Sequence, residues 1–167
     1  LQLTDIPGSE EAPDTVISAL ASGDLLWASS FGNSQPIHTL TETGDWTSYA
    51  DSILFGSEFI SIDLSEIEVA WLGSTSGDIT AFEPLEGNIE LLSSSDGIPG
   101  SFTDIEISIE DNAWIATGQG PAIFQSASFV FSGATATQPS FENRTLFDGE
   151  TINAVMTDGG NRIWFGT

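Results

Sequence analysis

The sequence predicts an all-β fold, a β-propeller with about three complete four-stranded blades and part of another. Three observations carry this. Four of the five tryptophans, Trp27, Trp71, Trp114 and Trp164, recur at intervals of 44, 43 and 50 residues, a period that marks a repeat architecture. Short runs before each tryptophan alternate apolar and polar residues in the manner of half-buried strands. Gly, Asn and Asp punctuate the runs, and these residues tolerate the backbone of tight hairpin turns.

Each repeat opens with a hairpin. Its first strands are expected at Thr15–Ala21, Glu58–Leu64, Ser101–Ser108 and Thr151–Thr157, where β-branched and aromatic residues favour strand over helix. Turns follow at Ser22-Gly23-Asp24, Ser65 to Glu68, Glu110-Asp111-Asn112 and Asp158 to Asn161. The second strand carries the tryptophan and then turns small, as in Ala28-Ser29, Leu72-Gly73, Ile115-Ala116 and Phe165-Gly166, which is expected where strands crowd.

Two further strands fit between one tryptophan and the next hairpin. They are expected at Ile37–Thr41 and Trp46–Tyr49 in the first repeat, and at Asp78–Phe82 and Asn88–Leu92 in the second. The third repeat is longer, and Ser126–Ser140 is the place for its extra residues. There Phe129, Val130 and Phe131 are expected to prolong a strand before a Gly/Ala/Thr/Pro tail, with Phe141–Leu146 as the outermost strand. Four short strands per repeat is the composition of a propeller blade. The blades then fall at about 15–49, 58–92 and 101–146, with a partial one at 151–167, in a single domain over 1–167. Leu1–Thr4 reads as the outer strand of a neighbouring or closing blade. Three blades and a fragment make an open arc or part of a larger propeller. Closure of a four-bladed ring is less favoured, because the closing blade lacks its third strand.

Charge narrows the functions. Against 25 acidic residues stand only Arg144 and Arg162, with no lysine, for a net charge of −23. Such a surface repels phosphate backbones and anionic headgroups, which argues against nucleic-acid and peripheral membrane binding. Basic protein faces and cations suit it better, and a solvated acidic coat is its plainest reading. No stretch approaches the roughly 20 apolar residues of a membrane span. There is no cysteine, hence no disulfide or thiolate metal site. The chain opens at Leu1 without a charged leader and stops in mid-blade, so a processed chain or, better, an excerpt of a longer one is expected.

Catalytic chemistry finds little support. His38 is the only histidine, so zinc ligation through paired histidines is excluded. A Ser-His-Asp triad would have to use His38, and no Gly-x-Ser-x-Gly elbow surrounds any serine. Among so many acids a close carboxylate pair carries no information. The turn carboxylates Asp96, Asp111 and Asp158 offer oxygen ligands for calcium, but capping of hairpin turns explains them first. Gly118-Gln119-Gly120 and Gly159-Gly160 lack the helix or lysine of a phosphate cradle. No catalytic, cofactor-binding or metal-binding residue is therefore assigned, and no cofactor is implied. The four periodic tryptophans read as core between neighbouring sheets. Trp46 is out of phase and is the surface candidate, with Tyr49 beside it. The sequon Asn143-Arg144-Thr145 reads as chance.

Asp96-Gly97-Ile98-Pro99 before the third hairpin, and Asp148-Gly149, Ile152, Val155, Asp158 and Ile163-Trp164-Phe165-Gly166-Thr167 in the last repeat, resemble the two-component regulator propeller repeat. The first two repeats keep the tryptophan and hairpin and little else. The resemblance implies large propellers that serve as extracytoplasmic sensor portions of signalling proteins, or as stand-alone and secreted proteins, with blade motifs rather than catalytic ones. The expected function is thus a non-enzymatic binding or scaffold module outside the cytoplasm, either a sensor ectodomain or an accessory subunit of a larger protein assembly. The alternative is a propeller-based lyase or hydrolase with an axial active site.

Overall fold

The computed structural model describes residues 17–31 and 34–167. The strand expected at Leu1–Thr4 and the residues Thr15 and Val16 of the first hairpin lie outside them. Alternating runs and Gly/Asp turns produce consecutive antiparallel hairpins, and each sheet is a meander. The first is β1 (Ile17–Ser22), β2 (Leu26–Ser30), β3 (Ile37–Leu40) and β4 (Trp46–Tyr49), paired in chain order. The second repeats it with β5 (Phe59–Leu64), β6 (Ala70–Ser74), β7 (Ile79–Glu83) and β8 (Asn88–Leu92).

The third repeat departs from expectation. Its sheet has three strands, β9 (Phe102–Ile107), β10 (Ala113–Thr117) and β11 (Ala122–Phe124). Phe129, Val130 and Phe131 do not prolong a strand: Ala127–Ser132 forms 3₁₀ turns. The cause is local. Ser126 turns the chain at φ 62°, and Asp111 takes the backbone N–H of Ser128 at 3.0 Å. Spacing by three then buries Ala127 and Val130 while Phe129 is exposed. In place of a long outer strand come the short pair β12 (Ser140–Phe141) and β13 (Arg144–Thr145), which is separate from the main sheet. The last hairpin is β14 (Ala154–Thr157) and β15 (Ile163–Gly166).

The hairpins' first strands lie side by side in the order β1, β5, β9, β14. Trp27, Trp71 and Trp114 each face the following sheet. Trp27 is buried with Ile62, Leu72 and Phe82, and Trp71 with Ile105, Ile115 and Phe124. Trp114 packs beside Ile152, Val155 and Phe165. Burying one such ring removes roughly 200 Å² from water, worth about 5 kcal/mol before entropy is counted. Two residues past Trp27 and Trp71 the sheets touch directly. Ser29 Oγ donates to the Phe59 carbonyl at 3.1 Å. Gly73 has no room for a side chain, because a Cβ would sit 2.0 Å from the Phe102 ring. Crowding explains the small residues read from the sequence.

Candidate functional site

His38 lies where strand register puts it, opposite Ala28 on β2 and Ser48 on β4. Its Nε2 meets Ser30 Oγ and its Nδ1 meets Ser48 Oγ, each at 2.8 Å. Trp46 stands edge-on to the ring at 6.5 Å. His38 is only 1% exposed and Ser30 is fully buried. Burial lowers the imidazole pKa from 6.5 to about 4, so the ring is neutral near pH 7, with one nitrogen donating and the other accepting. A serine beside an imidazole has the makings of a nucleophile. Here the hydroxyl is shut from solvent, and the orienting partner is another serine instead of a carboxylate.

Three acids lie elsewhere, on the hairpins' first strands, and hold backbone. Asp63 on β5 accepts the amides of Leu64 and of Ile107 on β9. Asp104 on β9 accepts Ile105 N–H at 3.0 Å and Val155 N–H at 3.0 Å on β14. Glu106 accepts Thr157 N–H at 2.9 Å. Side chains of one sheet thus satisfy amides of the next, which are otherwise left open on an edge strand. Burial, and then the nearby charges of Glu106 and Asp104, push the Asp63 carboxyl upward, against the pull of its two amides. Asp63 and Glu106 each follow a buried isoleucine, Ile62 or Ile105. That shared phase was the sequence signal for this role, and sequence reading passed over it.

The turn carboxylates are occupied in the same way and sit in three separate turns. Asp96 closes a capping box with Ser93, whose N–H it accepts at 2.8 Å. Asp111 accepts Glu66 N–H at 2.9 Å as well as Ser128 N–H. Asp158 gathers the N–H groups of Gly160 and Arg162, the Arg162 guanidinium at 2.8 Å and Trp164 Nε1 at 3.0 Å. Those bonds, with the indole first, hold its pKa down at about 2. Among the described residues no three acids or histidines gather as a metal-binding group. His38 and the inner-strand carboxylates are not brought together. A shallow depression of about 240 Å³ beside Ile79, Leu92 and Ile98 has Asp78 as its only titratable group.

The aromatic residues divide differently from expectation. Trp27 and Trp71 are fully buried, whereas Trp164 is 55% exposed. The face Trp164 occupies is the one that packs on a following sheet in the earlier repeats, and the described residues include no such sheet here. Tyr49 is no surface residue: it stacks on Trp27 at 6.5 Å and meets Phe82 edge-on at 5.2 Å. Trp46 is half-buried beside His38.

No family model matches the sequence, and no curated protein does. Solved structures do. The chain is similar to PorZ, a bacterial surface component of the type-IX secretion system of Porphyromonas gingivalis, with a TM-score of 0.73 at 14% identity, over 97% of this chain and 26% of that one. It is similar to the extracellular domain assigned to the hybrid two-component system BT3049 of B. thetaiotaomicron, with a TM-score of 0.64 at 16% identity, over 99% and 22%. It is also similar to virginiamycin B lyase from Staphylococcus aureus, with a TM-score of 0.64 at 17% identity, over 92% and 50%. The chain spans about a quarter to a half of these structures' lengths. At such identities the likeness shows the fold alone, antiparallel sheets of the propeller kind.

Proposed function

We propose that this chain is a non-enzymatic binding or scaffold module, part of a larger propeller, that works outside the cytoplasm against a protein partner as a sensor ectodomain or accessory subunit. The four sheets that begin with β1, β5, β9 and β14 are read as successive blades of one domain over 1–167, with the last blade partial. One observation carries the reading. The groups that chemistry would need are engaged in holding the fold: His38 between two serines, and Asp63, Asp104 and Glu106 on backbone amides. The similarity to a secretion-system surface component and to an extracellular sensor domain supports the compartment and the protein partner. The acidity, −23 overall, favours a basic face on that partner.

Cross-linking mass spectrometry of the native assembly tests the proposal. Reproducible links to one stoichiometric polypeptide are expected. A protein that runs alone and converts quinupristin, the compound bound in the lyase structure, would overturn it in favour of an enzyme.

A further inference from the structure

Large apolar side chains stand out from the end of the molecule formed by the hairpin turns. Ile67 is 54% exposed, Ile109 74% and Phe129 63%. Turns ordinarily place Gly, Asn, Asp or Ser at such positions. Ile67 lies in the loop Glu66-Ile67-Glu68, closed by the Ser65 N–H on the Val69 carbonyl at 3.0 Å. Ile109 lies in the matching loop Ile109-Glu110-Asp111, closed by the Ser108 N–H on the Asn112 carbonyl at 2.9 Å. Phe129 belongs to the 3₁₀ segment Ala127–Ser132.

Asp111 ties these three places together. One carboxylate oxygen accepts the N–H of Glu66, next to Ile67, and the other accepts that of Ser128, next to Phe129. Ile109 is two residues away in the same loop. Glu68 extends the row by accepting the N–H groups of Asp24 and Leu25 in the preceding turn. Both acids do so from the left-handed region, at φ 58° and 61°, which residues other than glycine avoid. The patch is thus ordered before anything binds. It presents on the order of 300 Å² of apolar surface, the size at which such a patch marks an interaction site. Its exposure does not come from the end of the row of sheets. β5 has β1 and β9 on its two sides, and β9 has β5 and β14. A sheet added at either end would meet the first or the last sheet and leave these turns as they are.

We propose that this face docks a polypeptide segment in which large apolar residues stand beside lysine or arginine. The apolar residues cover Ile67, Ile109 and Phe129, and the cations meet Glu66 and Glu110. Among the described residues neither of those carboxylates has a partner. The occupant must bring the cations. Arg162, in the last hairpin, is engaged by Asp158 at 2.8 Å. A second copy of the chain brings the same acids. Residues 1–16 hold Asp5, Glu10, Glu11 and Asp14 and no cation, so they are repelled as well, as are anionic lipid headgroups. The inference deepens the binding-module reading and rests on it in taking the partner to be a protein.

The sequence holds no lysine, which makes a carbodiimide a selective probe, since it condenses a carboxylate with an amine. In the native assembly, links from Glu66 or Glu110 to lysines of another polypeptide are expected. Links at other acids only, or to a lysine of the same protein, overturn this face and leave the scaffold reading standing. Absence of links to any polypeptide removes both. In solution the probe is the peptide Lys-Leu-Lys-Phe-Lys-Leu-Lys, against a control of equal charge with serine at its three apolar positions. The apolar peptide should bind about tenfold more tightly, and Ile109→Ser or Phe129→Ser should each remove most of that advantage. Phe55→Ser should not, because Phe55 is as exposed but precedes β5, at the opposite end of the strands from the turns. Glu66→Gln with Glu110→Gln should weaken binding and flatten its dependence on salt. Equal binding of the two peptides, or indifference to Ile109→Ser and Phe129→Ser, overturns the proposal. Self-association that Phe129→Ser abolishes assigns the face to a second copy and overturns it too.

Discussion

Glu106 on β9 accepts the backbone amide of Thr157 on β14 at 2.9 Å, and one repeat earlier Asp63 on β5 holds Ile107 on β9 in the same phase. An open strand edge is normally a liability. Here the acidic side chains of one hairpin occupy the edge of the next. Glu106→Ala leaves the partly buried Thr157 N–H without its acceptor and should cost about 1–2 kcal/mol. Glu106→Gln keeps an acceptor oxygen and should recover most of that. Urea unfolding of the two variants, with exchange rates at Thr157, checks the order. Equal stability of Ala and wild type would mean that the bond contributes nothing net.

His38 makes stability depend on pH. Its pKa falls from 6.5 in the unfolded chain to about 4 in the fold, because burial disfavours the imidazolium. Between those values the unfolded chain binds a proton that the native protein does not. The contribution is complete above pH 6.5, declines as pH drops, and is gone below about 4, a total of about 3 kcal/mol. His38→Gln should lose that slope whatever its own stability. Denaturation midpoints across the window decide it: parallel curves for the two proteins would contradict a neutral buried ring.

Much of the fold was legible because a propeller sheet writes its period into large residues. Trp27, Trp71 and Trp114 mark the same strand each time, and hairpin turns of Gly, Asn and Asp mark its neighbour. The third repeat was not legible beyond β11. Phe129 to Phe131 look like strand by composition, yet Ser126 at φ 62° and the grip of Asp111 on Ser128 coil them. The roles of Asp63, Asp104 and Glu106 were not legible, since a carboxylate that holds a neighbouring amide has the same letter as one in water. Trp164 was read as core by phase alone, and phase does not reveal whether the next sheet is at hand.

Gly73 lies against Phe102 so closely that a Cβ there would be 2.0 Å from the ring. Phe102 belongs to a core of fully or nearly buried residues and has little room to retreat. Gly73→Ala should therefore destabilise by about 1–3 kcal/mol through overpacking. Gly166, in the same phase, has among the described residues only Ala154 nearby, at 3.5 Å, so Gly166→Ala should be close to neutral. A thermal unfolding comparison of the two single variants separates steric crowding from any general intolerance of alanine after the tryptophan.

The same phase also sets a contrast between Trp71 and Trp164. Trp71 is fully buried, donates its indole N–H to the Ala127 carbonyl at 3.3 Å and packs on Phe124 at 5.2 Å. Truncation to alanine should cost about 3–5 kcal/mol through the cavity and the lost ring contact. Trp164 is 55% exposed, with Arg162 over its ring at 5.8 Å and its N–H on Asp158. An exposed indole of this kind contributes packing on one side only, and Trp164→Ala should cost under about 1 kcal/mol. The measurement is equilibrium unfolding of both variants in one buffer. A large loss at Trp164 in the chain alone would show that its face is already covered, and that the sheet beyond it is supplied by residues of this same molecule.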